Sequence, residues 1–168
     1  MNNKLIFCIV LFGAIFVSGC INTPLDNINE LMPDISNNVV DGDKYYNESV
    51  TALNSKNYAE TETKANLALE RFKSAKNDIL EANKYYEGVN ETLFIEYINI
   101  LEDEVDLKIN ATSNLILASQ KYEQGEISEG NKYSSLANSK MDSAIEFQNQ
   151  RIAIVDENPE LFKEFFYF

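Results

Sequence analysis

The chain has no histidine and no tryptophan, and its two cysteines, Cys8 and Cys20, both fall within the first 20 residues. Without histidine it lacks the usual general base at neutral pH, the commonest transition-metal ligand and every Ser-His or Cys-His nucleophile pair. With no cysteine after Cys20 the body has no disulfide, no thiolate zinc site and no thiol nucleophile. No residue set supports catalysis, a metal or a cofactor, so the expectation is a protein that is not an enzyme. Glycine and proline are scarce, at 6 and 3 in 168 residues, which favours long helices over a turn-rich fold. Positive charge is short as well, with 14 basic against 27 acidic side chains and a formal net charge of −13. Such a chain repels nucleic acid and anionic lipid head groups, and nucleic acid is a poor partner for it.

Hydrophobic residues make up 45% and charged residues 24% of the chain, the balance of one folded domain. It opens on a distinct leader. "MNNKLIFCIVLFGAIFVSGC" runs from a polar start with Lys4, through an uncharged stretch from Leu5 to Val17, to Ser18 and Gly19 ahead of Cys20. This is the layout of a secretory signal. As a helix the apolar stretch would span only ~20 Å, short of the ~30 Å hydrocarbon core. Val17-Ser18-Gly19-Cys20 resembles the lipobox of prokaryotic lipoproteins, with Val17 where leucine is more usual. The resemblance implies that residues 1–19 are removed as a lipoprotein signal peptide and that Cys20 takes a thioether-linked lipid. It further implies a protein anchored on the cell membrane and facing outward, extracellular or periplasmic, held more firmly the more chains (palmitate or other) Cys20 carries.

Residues 20–33 hold Pro24 and Pro33 among several Asn and Asp without a sustained period, and read as a tether. A helical domain is expected over residues 34–168. Its first helix starts at Asp34 or, since Gly42 weakens the middle, near Asp43. From Tyr58 the pattern is regular: Thr61, Ala65, Ala68, Phe72, Ala75, Ile79 and Ala82 step by three and four, an apolar seam that ends at Gly88. A third run carries Phe94, Ile98, Leu101, Val105, Thr112 and Leu115, interrupted at Lys108. A fourth extends from Ile127 to Val155 through Ala137, Met141, Ala144 and Ile152, and Pro159 opens a short last segment. Runs over 58–86, 92–122 and 127–155 would be roughly 43 to 46 Å long, and turns of a few residues fold each back on its predecessor. The expected fold is all-α, an antiparallel up-down bundle of about four long helices with a short C-terminal aromatic helix. The stretch Tyr58–Leu69, with Tyr58, Ala65 and Ala68, also resembles the helical hairpin of tetratricopeptide repeats.

Several local features carry candidate chemistry. Glu102, Asp103, Glu104 and Asp106 crowd one run and read as a solvated face. "DGDKYYNE" from Asp41 begins like a calcium loop but has Tyr45 at the fifth position and no glycine at the sixth, so it fails the ligand count. Asn47, Asn90 and Asn110 head Asn-x-Ser/Thr sequons, acceptors for N-glycosylation where the host has that machinery. Tyr58, Tyr85, Tyr86 and Tyr122 fall near helix ends, either as an aromatic, partner-binding rim or as ordinary closure of the core that keeps each hydroxyl wet. The ending "ELFKEFFYF" leaves Phe162, Phe165, Phe166, Tyr167 and Phe168 either to fold back over the bundle or to contact a membrane or partner.

The expected function is therefore a membrane-anchored surface lipoprotein acting as a non-catalytic protein-interaction or structural module. The alternative is a helical receptor for a small molecule or ion, which requires a cavity between helices with convergent polar groups.

Overall fold

Thr23 and Asp26 start the first helix. The Thr23 hydroxyl accepts from the Asp26 backbone N–H at 3.2 Å, and the Asp26 carboxylate accepts from the Thr23 N–H at 2.8 Å. With Pro24 at the first helical position this is a reciprocal cap, and its bonds from Thr23 hold the Asp26 carboxyl below the usual range. A computed structural model describes residues 23–163; the leader with Cys20, and Phe165, Phe166, Tyr167 and Phe168, lie outside the described residues. The elements are α1 (Pro24–Asn54), α2 (Tyr58–Asn83), a 3-10 turn (Tyr86–Gly88), α3 (Thr92–Glu123), α4 (Ile127–Glu157) and α5 (Pro159–Phe162). The described residues contain no strand, and the protein is an all-α bundle of four long helices.

The boundary displaced furthest is at the start. Residues 24–33, expected as tether, form the first turns of α1, with Ile28 and Met32 buried and Pro33 inside the helix. Ile28, Met32, Ile35 and Val39 recur at steps of four, three and four. That burial outweighs the hydrogen bond lost at Pro33, which sits on the exposed side. Gly42 does not end the helix either. A Cβ there would lie 2.4 Å from the Phe72 ring, so glycine is what lets α1 sit this close to α2.

Each helix folds back on the one before it: α1 packs along α2, α2 against α3, and α3 along α4, while α1 and α4 are the outer pair. The Asn57 side chain caps α2 through the Glu60 N–H at 3.3 Å, and the buried Ser49 hydroxyl donates to the Thr61 carbonyl at 2.8 Å across the α1–α2 hairpin. Between α2 and α3, Lys76 Nζ lies 2.7 Å from Glu102 and 2.8 Å from Asp106. The buried face of α4 is Gly130, Ala137 and Ala144, one small residue every seventh position, which brings its backbone close against α3. No helix among the described residues is long and apolar enough to cross a membrane.

Candidate functional site

α1 and α4 part from each other along most of their length, and the floor of the cleft between them carries charge. Lys108, only 1% exposed, places Nζ 2.7 Å from Asp43 Oδ2 and 2.9 Å from Glu104 Oε1. The second contact is an ion pair whose angle does not make a hydrogen bond. Glu104 is fully buried, and its other oxygen takes Arg151 Nε at 3.0 Å. Arg151 in turn donates from Nη1 to the Tyr97 hydroxyl at 2.7 Å. The chain Asp43, Lys108, Glu104, Arg151, Tyr97 thus joins α1, α3 and α4 with two cations and two anions, so the buried set is neutral overall. A buried ion set of this kind adds little to stability compared with apolar packing of the same volume, yet losing one member is costly. Burial raises the Asp43 carboxyl above its usual range although Lys108 pulls the other way.

Two adjoining cavities lie in this cleft. One, of about 100 Å³, is walled by Met32, Ile35, Val39 and Leu101 and bears Asp43, Tyr97, Gln148 and Arg151 at its polar side. The other, of about 190 Å³, shares Asp43 and Gln148 and adds Tyr46, Asn47, Lys108, Met141 and Ile145. Tyr46 is 5% exposed and its buried hydroxyl has no hydrogen-bond partner. Its burial, with Asp142 nearby, pushes that hydroxyl up to about 12. Val40, at 64% exposure, and Ile145 and Ile152 are exposed apolar residues of these two outer helices.

At the end of the bundle formed by the α1–α2 and α3–α4 turns, the rings of Tyr58 and Tyr122 stack at 6.3 Å. Leu53, Lys56 and the 56%-exposed Ile127 join them around an open hollow of about 450 Å³. Tyr85 and Tyr86 lie at the opposite end, beside the start of α3.

The expected sites divide as follows. Cys20 and four of the five C-terminal aromatics lie outside the described residues. Phe162 is 1% exposed, its ring 5.2 Å from Tyr97 and 6.1 Å from Phe94, so it belongs to the core and offers no contact surface. The sequons differ in kind. Ser49 and Thr112 are buried within helices, the Thr112 hydroxyl donating to the Lys108 carbonyl at 2.7 Å, whereas Asn90 is exposed in the connection before α3. The acidic run is not one solvated face: Glu102 and Asp106 hold Lys76, and Glu104 turns fully inward. Among the described residues no group of three or more His, Cys, Asp or Glu side chains could hold a metal ion.

The cleft residues were not assembled by sequence reasoning, although two signs pointed to them. Lys108 interrupts an otherwise apolar seam, and Glu104 stands one helical turn before it. What defines the protein at this stage is its class, an all-α chain of two long helical hairpins with an open cleft between the outer helices. Compared with known proteins, the chain matches no family model, no curated protein and no solved structure.

Proposed function

We propose that this chain is a lipid-anchored surface protein that works by binding, without catalysis, as a protein-interaction module. The observation that supports this best is the pairing of a leader ending in Val17-Ser18-Gly19-Cys20 with a rod of helices directly behind it. With Cys20 on the membrane, α1 begins a few residues later and carries the chain roughly 45 Å outward along its axis. The hollow ringed by Tyr58, Tyr122, Leu53 and Ile127 then lies at the far end, where an incoming partner meets it first. Tyrosines such as these are enriched among the few residues that carry most of the binding energy in protein interfaces. The test is the mass of the mature chain together with a pull-down from intact membranes. Lipid on Cys20, loss of residues 1–19 and a partner released by Ile127→Asp and Tyr122→Ala support the reading; an unmodified Cys20 with the leader retained overturns the anchor.

A second reading, a receptor for a small molecule, is favoured by one specific observation. The cleft between α1 and α4 holds cavities with convergent polar groups, and among them the buried Tyr46 hydroxyl lacks a partner.

A further inference from the structure

We infer that the α1–α4 cleft binds a zwitterion with an apolar side chain, a free hydrophobic α-amino acid, its ammonium group meeting Asp43 and its carboxylate meeting Arg151. The inference rests on the receptor reading and names the ligand class for it.

Asp43 and Arg151 line the same cavity of about 100 Å³. A cavity of about 150 Å³ holds a benzene, so an amino acid takes this cavity together with the adjoining one of about 190 Å³, which shares Asp43 and Gln148. Each has capacity left over. Asp43 Oδ2 is taken by Lys108, which leaves its second oxygen, and Arg151 uses Nε on Glu104 and Nη1 on Tyr97, which leaves Nη2. Apart from Ser36 at the rim, the rest of the α1 wall, Met32, Ile35 and Val39, is apolar, as is Leu101 on α3.

The charge pattern selects the class. A simple anion gains Arg151 but is opposed by Asp43 and by the net charge of the chain, −13. A simple cation gains Asp43 but faces both Arg151 and Lys108. A neutral apolar molecule fills the wall but covers the second Asp43 oxygen and Arg151 Nη2 without giving either a new hydrogen bond. A ligand with one charge of each sign close together and an apolar chain beyond them satisfies all three surfaces. Tyr46, which lines the adjoining cavity with Asp43 and Gln148, adds a buried hydroxyl that has no partner of its own.

Titration calorimetry of the full-length chain in detergent tests this with L-leucine, L-methionine, N-acetyl-L-leucine and L-leucinamide. Saturable binding of the first two is expected. Blocking either charge, or the substitution Asp43→Asn, should weaken binding by about tenfold or more, and Ser36→Trp, which intrudes on the cavity from its half-buried rim, should abolish it. Equal binding of the blocked compounds overturns the inference, as does failure of every free amino acid to bind. A parallel measurement keeps the two claims apart: thermal unfolding with a small-molecule extract of cells, wild type against Ser36→Trp and Asp43→Asn. An extract that stabilises only the wild type, while no amino acid binds, sinks the ligand class and leaves the receptor reading standing. If neither the amino acids nor the extract acts, both fall.

Discussion

The two edges of α4 were built by opposite means. Towards α3 its face is Gly130, Ala137 and Ala144, small residues that let two backbones approach and leave no space. Towards α1 it presents Met141, Ile145, Gln148 and Arg151 around cavities, with polar groups on the floor. The two sides of α1 differ likewise: towards α2, Gly42 admits the Phe72 ring between the alanines of the α2 seam, and towards α4, α1 carries Asp43 and Tyr46. Small side chains close an interface; large and polar ones hold it open. The closed seams exclude space, and the open cleft keeps cavities lined by polar groups.

The largest effect that could break this contrast comes from the charge set. Glu104→Ala leaves Lys108 and Arg151 without their shared buried carboxylate and should cost about 3–5 kcal/mol in urea unfolding. A loss below 1 kcal/mol would show that water reaches the floor freely. Next come volume changes on the two sides. Ala75→Leu pushes into a full seam and should cost about 1–3 kcal/mol, while Val40→Leu on the cleft's exposed edge should stay within about 0.5 kcal/mol; equal losses would erase the distinction.

A smaller effect concerns pH. Burial opposes ionisation of Glu102, but hydrogen bonds from Lys76 and Asn83 outweigh it and lower the carboxyl below its ordinary 4.5. The unfolded chain then binds more protons, so this contribution is present above 4.5 and is lost as pH falls through the folded value. Asp43 has the opposite sign. Raised from 3.8 by burial, it binds more protons when folded, and its contribution is lost as pH rises above 3.8. Urea midpoints between pH 3 and 7 should therefore show a shallower acid loss for Lys76→Met and a steeper gain with rising pH for Asp43→Asn. Parallel curves for both variants and the wild type would contradict the assignment.

Much of the fold was legible because alanine and apolar residues at steps of three and four mark α2, α3 and α4 over almost their full lengths. The start of α1 was not, because Pro33 and Gly42 are scored against a helix when seen locally. Their cost is offset by Ile28 and Met32 on one side and by the close fit to Phe72 on the other, and only the assembled hairpin shows either. The cleft was harder still. Among four consecutive-looking acids nothing local says that Glu104 turns inward, since its partner Arg151 lies 47 residues further on. The interruption at Lys108 was the visible trace of a polar floor. Tyr46 left no trace, for a tyrosine on a helical seam looks the same whether or not its hydroxyl finds a partner.

That difference provides the most direct measurement. Tyr97 and Tyr46 are both buried, but the Tyr97 hydroxyl accepts from Arg151 at 2.7 Å and the buried Tyr46 hydroxyl has no hydrogen-bond partner. If the cleft keeps polar groups for binding rather than for stability, ligand-free Tyr46→Phe should raise the unfolding free energy by about 1 kcal/mol, and Tyr97→Phe should lower it by about as much. Two losses of equal size would contradict the account, because the Tyr46 hydroxyl would then be a structural group like its neighbour.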